Sequence, residues 1–179
     1  DFDLSSHQEY SGKKIQYYDA EHDESYVPYV VETSIGLDRM FLSILAGAYT
    51  EEEVPGKEGK PADSRVVLKL PPVLTPVKLA VLPLVRKDGL PEKALEIVDQ
   101  FKFDFNCRYE EKDSIGKRYR RQDAIGTPFC ITIDHQTMED DTVTIRYRDS
   151  MEQERVKIAD LYSIITQKVS MKELLKTLA

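Results

Sequence analysis

The apolar positions change rhythm several times along the chain, and each change marks an element. Val27, Tyr29, Val30 and Val31 form a β-branched and aromatic run that predicts a buried strand. Leu37, Phe41, Ile44, Leu45 and Ala48 then recur at helical spacing. Val66–Leu70 predicts a short strand, ended by Pro71 and Pro72. Val77–Leu82 is a continuous apolar run, the pattern of a strand covered on both faces. Pro91 suits the first turn of a helix whose Ala94, Ile97, Val98 and Phe101 fall on one stripe. Phe105–Glu110 follows as a strand, so the order predicts a right-handed βαβ crossover.

Beyond it, Ser114 and Gly126 bracket a basic helix, SIGKRYRRQDAIG, as N-cap and C-cap, and Pro128–Asp134 predicts a further strand. Thr142–Arg148 alternates strictly, with Val143, Ile145 and Tyr147 on one face and Thr144, Arg146 and Arg148 on the other. Arg155–Ile158 alternates too and suits an antiparallel return after DSMEQE. A last amphipathic helix carries Ile158, Leu161, Tyr162, Ile165 and Val169.

Two stretches lack such rhythm. Residues 1–25 are polar, anchored mainly by Tyr10, Tyr17 and Tyr18, and read as a loop with one short strand. TEEEVPGKEGKPADSR holds Pro55, Gly56, Gly59 and Pro61 among charges and reads as an exposed connecting loop. We place a domain boundary after it, giving residues 1–72 and residues 73–179. The fold class is α/β: a mixed sheet of about five strands with about three helices, preceded by a strand–helix piece.

Composition narrows the functional classes. The 179 residues are 41% hydrophobic and 32% charged, as in globular proteins. No apolar run approaches the ~20 residues of a membrane-spanning helix. The net charge of −7 argues against a general nucleic-acid binder. It is unevenly spread: residues 1–72 hold 7 Lys+Arg against 14 Asp+Glu, whereas residues 73–179 hold 18 of each. A local basic surface therefore has room in the second part. Cys107 and Cys130 lie in predicted strands without ligand spacing, and are expected as buried free thiols. His7 and His22 lack companions at ligand distance, so no metal centre is expected. The start at Asp1 rather than Met is expected of a piece of a longer protein.

Two groups of residues carry candidate chemistry. Between the first strand and helix stand Glu32, Thr33, Ser34 and Gly36, with Asp38 and Arg39 just inside the helix. By themselves these residues fit a junction capped by Thr33 or Ser34 with Arg39 paired to a surface acid, the commoner arrangement at a helix start, and alternatively a polar site for a small substrate. Farther on, Arg146, Arg148, Arg155 and Lys157 would share one face of a hairpin, beside Lys117, Arg118, Arg120 and Arg121 of the basic helix. With Asp149, Glu152 and Glu154 adjacent, that face reads either as solvated ion pairs or as a phosphate-binding surface.

ETSIGLDR after an apolar run, with MFLSIL behind it, resembles motif 3 of class II aminoacyl-tRNA synthetases. Its surroundings resemble the homodimeric type of glycyl-tRNA synthetase. LPPVLTPVKLAVLPLVRKDGLPEKA and RYEEKDSIGKRYRRQDAIGTPFCITIDHQTMEDDTVTIRYRD resemble the anticodon-binding domain of the same family. The resemblance runs from FDLSSHQEYSGKKIQYYD to the last helix and implies an ATP-dependent ligase that joins glycine to tRNA(Gly) through a glycyl-adenylate. It places Arg39 on the γ-phosphate of ATP, Gly36 beside the nucleotide, and Glu32 and Ser34 on the amino group of glycine. A planar guanidinium matches phosphate oxygens and a carboxylate suits an ammonium. The glycine carboxylate is itself the nucleophile, so positioning and charge stabilisation, with Mg²⁺ across the phosphates, would carry the reaction.

For tRNA, the resemblance favours contacts from Arg146, Arg148, Lys157, Arg118 and Arg121. It further implies a cytoplasmic homodimer with no DNA or membrane partner. The other two class II motifs are not in this sequence, so the 179 residues alone are expected to be inactive, with neither ATP nor Mg²⁺ held. The alternative is a non-catalytic relative serving as an accessory RNA- or protein-binding module, though an intact ETSIGLDR favours the enzyme.

Overall fold

The computed structural model describes residues 2–54 and 63–177. It divides into two compact units, Asp1–Met40 and Phe41–Ala179, so the division by contacts falls at residue 40 and not near residue 72.

The first unit begins with helix α1 (Phe2–Ser11), which buries none of its residues. A helix polar all round has no apolar stripe, which is why the sequence reads as loop there. Strands β1 (Tyr17–Asp19) and β2 (Glu24–Tyr26) pair antiparallel, with Tyr17 opposite Tyr26 and their rings edge to face at 5.9 Å. Asp19 shapes the turn, accepting from the Glu21 N–H at 2.9 Å and meeting His22 Nδ1 at 2.8 Å. The predicted strand Val27–Val31 does not form: residues 27–36 carry no regular structure, and Tyr29 and Val31 are 81% and 95% exposed. A β-branched run becomes a strand only when a neighbour takes its main-chain hydrogen bonds. Among the described residues no strand pairs with this one.

Helix α2 (Leu37–Ala48) follows, and the division between the units falls inside it. In the second unit, β3 (Tyr49–Val54) and β4 (Asp63–Leu68) form an antiparallel hairpin from the two ends of the predicted loop. The middle of that loop lies outside the described residues. β3 was hidden in the sequence because its inward residues are Thr50, Glu52 and Val54, and Glu52 sits there by pairing with Arg65 and Lys69.

Next come β5 (Leu79–Pro83), α3 (Leu90–Phe101), β6 (Cys107–Tyr109), α4 (Ile115–Ile125), β7 (Phe129–Ile133), α5 (His135–Asp140), β8 (Thr142–Tyr147), β9 (Gln153–Lys157), α6 (Ile158–Val169) and α7 (Met171–Lys176). The five strands form one sheet in the order β6-β5-β7-β8-β9. β5 runs parallel to β6 and β7, and β7, β8 and β9 run antiparallel in turn. The five-stranded mixed sheet is the one expected. α5 and α7 are additional, and six residues each is too short to show a helical period.

Every residue of β5 and β7 is buried, because both sheet faces are covered. On one face Leu79, Val81, Ile131, Val143 and Ile145 meet Ala94, Ile97 and Phe101 of α3 and Leu161 and Ile165 of α6. On the other, Ala80, Leu82 and Cys130 meet Ile115 and Tyr119 of α4. Gly126 ends α4 in the left-handed region at φ 83°, as the sequence predicts.

Candidate functional site

Glu32, Ser34 and Gly36 lie on the irregular segment before α2, and Arg39 in its first turn. All four are exposed. The Gly36 carbonyl accepts the Met40 N–H at 3.0 Å, so the helix ladder starts at the glycine. A Cβ on Gly36 would meet only the Arg39 side chain, at 3.7 Å, so the chain itself does not demand glycine there. What this segment offers is a carboxylate, a hydroxyl and a guanidinium within eight residues, all facing solvent.

The expected basic face is not a surface. Arg118, Arg146 and Arg148 are 1%, 5% and 2% exposed. Strand β8 does put Thr144 and Arg146 opposite Val143 and Ile145, but α4 covers that side. Asp123 of α4 receives Arg146 through a two-pronged pair, Nη1 to Oδ1 at 2.8 Å and Nη2 to Oδ2 at 3.0 Å. The Arg146 guanidinium lies 4.8 Å from the Tyr119 ring centre. Burial opposes its charge, yet the bonds and charge of Asp123 outweigh burial and raise its pKa. Arg148 donates to the carbonyls of Gly126 and Leu70 at 2.7 and 2.8 Å and pairs with Asp149. These arginines are therefore framework, bound to carbonyls and carboxylates. Arg121 is half-buried and pairs with Glu110 and Asp113 at 2.7 and 2.9 Å. Arg155 is half-buried on Asp134, and of the five residues favoured for tRNA contact Lys157 alone is exposed.

A different edge carries the exposed cations. The strand order makes β5 a switch point: β6 flanks it on one side and β7 on the other, with α3 and α4 on opposite sheet faces. In open α/β sheets such a crevice, at the carboxyl ends of the strands, is where ligands settle. Here it is bordered by Arg86 and Lys87 after β5, Lys112 and Asp113 after β6, and Lys117 in the first turn of α4, all exposed.

Arg118 ties the roots of two loops together. Its Nη1 donates to the Pro83 and Glu110 carbonyls at 2.7 and 3.1 Å, and its Nη2 to the Leu84 carbonyl at 3.2 Å. Burial lowers its pKa against the pull of the Glu110 carboxylate. Arg86 Nε reaches the Glu111 carbonyl at 2.9 Å, and His135 Nε2 lies 3.0 Å from Asp88 Oδ2, holding that carboxyl below its usual range. Tyr109 donates to Glu111 at 2.6 Å, and burial with that bond pushes its hydroxyl far up. The edge thus presents cations on loops that are fixed from beneath. Its sequence signal was present: VRKDG and EEKDS each set a basic residue just past a predicted strand.

The two thiols are not part of this edge. Burial pushes Cys130 up to about 12 and Cys107 up to about 11, and Cys107 is only half-buried. Among the described residues no cluster of His, Cys, Asp and Glu could hold a metal ion.

The profile of the family described as anticodon binding domain matches residues 78–168, from the start of β5 into α6. The chain belongs to that anticodon-binding family. Outside the domain itself, similarity extends over nearly the whole chain. A glycine–tRNA ligase of Chlorobaculum tepidum is 50% identical over 169 residues, which is 94% of this chain and 35% of that protein. A glycine–tRNA ligase of Clostridium perfringens is 54% identical over 165 residues, 92% of this chain and again 35% of the protein. The chain therefore spans about 35% of the length of these relatives. For the fold, a prolyl-tRNA synthetase from Cryptosporidium parvum superposes with TM-score 0.53 at 21% identity, over 57% of this chain and 22% of that one. The RNA-binding domain of threonyl-tRNA synthetase from the same organism gives 0.51 at 22% identity, over 56% of this chain and 25% of that one.

Proposed function

We propose that this chain is the C-terminal part of a glycine–tRNA ligase, in which residues 73–179 recognise the tRNA anticodon and residues 1–72 belong to the catalytic domain. The observation that carries this reading is identity of about 50% to glycine–tRNA ligases over 94% of the chain, well beyond the anticodon-binding domain. The whole enzyme would join glycine to tRNA(Gly) through a glycyl-adenylate with ATP and Mg²⁺, as a cytoplasmic homodimer. Arg39 would neutralise the γ-phosphate, while Glu32 and Ser34 hold the glycine ammonium beside Gly36. Their exposure supports the role, since a site for soluble substrates must be reachable from solvent.

On the RNA side, phosphates would meet Arg86, Lys87, Lys112 and Lys117 along the carboxyl edge of the sheet, with Arg121 and Lys157 at its margins. Arg118 would serve this surface from beneath, by fixing the loops after β5 and β6, while Arg146 and Arg148 hold the opposite end of the sheet together.

Arg39→Ala in the full-length protein tests the catalytic half. Glycine-dependent pyrophosphate exchange should fall on the order of 10²–10³-fold, as when one transition-state contact is lost. Binding of tRNA should stay nearly constant. An unchanged exchange rate overturns the assignment of Arg39.

A further inference from the structure

The cations along the carboxyl edge of the sheet suit phosphates, which carry no sequence, so a group that reads bases has to stand among them. The same edge holds carboxylates, and most are already matched to a cation. Asp88 meets His135 at 3.0 Å, Asp113 meets Arg121 at 2.9 Å, and Asp134 holds Arg155. Glu110 accepts from Arg121 at 2.7 Å and from the buried Gln122 at 3.1 Å.

Glu111 differs from these. It is half-buried just past the end of β6, and among the described residues no cation pairs with its carboxylate. Its Oε2 accepts the Tyr109 hydroxyl at 2.6 Å, and its carbonyl accepts Arg86 Nε at 2.9 Å. Side chain and main chain are each held by a neighbour, while Oε1 accepts no hydrogen bond from the described residues. Lys112 follows it and Arg86 stands against it, so the carboxylate lies between two of the cations proposed for phosphate. A negative charge there opposes the RNA backbone. A base that offers an N–H offsets that cost with a charge-assisted hydrogen bond.

We infer that Glu111 reads a cytosine of the anticodon, accepting its exocyclic amino group on the free carboxylate oxygen. This rests on the ligase reading above. Glycine codons begin with two guanines, so the anticodon of tRNA(Gly) brings two adjacent cytosines to the edge. Unstacked loop bases present their Watson–Crick edges to side chains. Cytosine carries an amino group where uracil carries a carbonyl. A carboxylate accepts from the first and repels the second, the discrimination expected of glutamate toward cytosine. Tyr109 and Arg86 hold the acceptor in place before RNA arrives, so little ordering is left to the binding step.

The test is Glu111→Gln in the full-length protein. The variant keeps the side-chain size and an oxygen for the Tyr109 hydroxyl, and adds an amide N–H that can donate to the uracil carbonyl. Affinity is measured for an anticodon stem-loop RNA with both cytosines and for two others with one or the other replaced by uracil. The wild type should prefer the cytosine form over at least one uracil form by roughly tenfold or more. In Glu111→Gln that preference should shrink to within about threefold, with affinity for the uracil form rising. Because the readout is a ratio within one preparation, it does not depend on the fraction of protein that is folded. Glu92→Gln, in the exposed first turn of α3, removes another charge near the Tyr109 hydroxyl and should leave the preference intact. An unchanged preference in Glu111→Gln overturns the inference. Equal weakening of both forms does so too, since Glu111 would then only support Tyr109 and the loop, and so does a matching loss of preference in Glu92→Gln. A wild type that binds none of the stem-loops more tightly than an unrelated hairpin RNA would sink the anticodon reading and the inference with it, a result distinct from the others.

Discussion

At the scale of single residues, arginine is the residue whose role depends most on its setting. Arg146 in β8 and Arg148 just past its end alternate with apolar partners, which places them on one side of the chain but does not say what lies over that side. Here α4 lies over it and supplies Asp123. Lys78 shows the same economy, with its Nζ spread over the carbonyls of Pro72, Val73 and Thr75 at 2.7–3.0 Å, and burial lowers its pKa. Gly126 is fixed by two independent constraints. Its φ of 83° favours glycine, and a Cβ would stand 3.0 Å from the Leu68 carbonyl oxygen and 3.3 Å from Leu68 Cβ. Because the nearest atom is backbone of β4, it cannot swing aside. Gly126→Ala should destabilise the second unit by about 1–3 kcal/mol. Urea denaturation measures this, and a change of only a few tenths would contradict the close approach.

Among the elements, α5 shows how a helix too short to hold itself is kept. Asp134 caps it, accepting the Thr137 N–H at 3.1 Å, while the Thr137 hydroxyl accepts the Asp134 N–H at 3.1 Å. Arg155 of β9 then grips the same carboxylate at 2.5 and 2.9 Å. The hydrogen bond from Arg155, followed by those from Thr137, lowers the Asp134 pKa against desolvation. A carboxylate with a depressed folded pKa stabilises above its unfolded pKa and loses that contribution as pH falls through the folded value. Arg155→Gln should therefore cost about 1–3 kcal/mol near neutral pH. The gap between wild type and variant should close as pH drops below the carboxylate range. Denaturation curves at the two pH values decide it; an equal gap in both would remove Asp134 as the cause.

For the whole molecule, the two units differ in how they are held. The second has a sheet buried on both faces and should melt as one cooperative transition. The first has a two-stranded hairpin, a helix with no buried residue and the irregular segment 27–36. Amides of that segment outside hydrogen-bonded structure should exchange with solvent early, well before those of β5 and β7. On the proposed reading, the 179-residue chain by itself should not support glycine-dependent pyrophosphate exchange, since Glu32, Ser34 and Arg39 without the other two class II motifs would form only part of a site. Turnover near that of a complete ligase would refute this.

What the sequence determined by itself was local or carried by family resemblance. Continuous apolar runs marked β5 and β7, strict alternation marked β8, and 3.6-residue spacing marked α3 and α6, because these periods follow from the geometry of one element and its burial. Gly126 was legible as a helix end because the left-handed conformation is a property of a single residue. ETSIGLDR and SIGKRYRRQDAIG carried the family. The tertiary structure decided everything that depends on a neighbour far away in the chain. Val27–Val31 has strand propensity and no paired strand among the described residues, so it stays irregular. Glu52 looks like a loop residue until Arg65, thirteen residues on, makes it part of a sheet. Arg118, Arg146 and Arg148 look like a phosphate-binding face until Asp123 and the backbone carbonyls enclose them. A charged side chain has no intrinsic side of the protein to occupy; the groups available to compensate it determine whether it is buried.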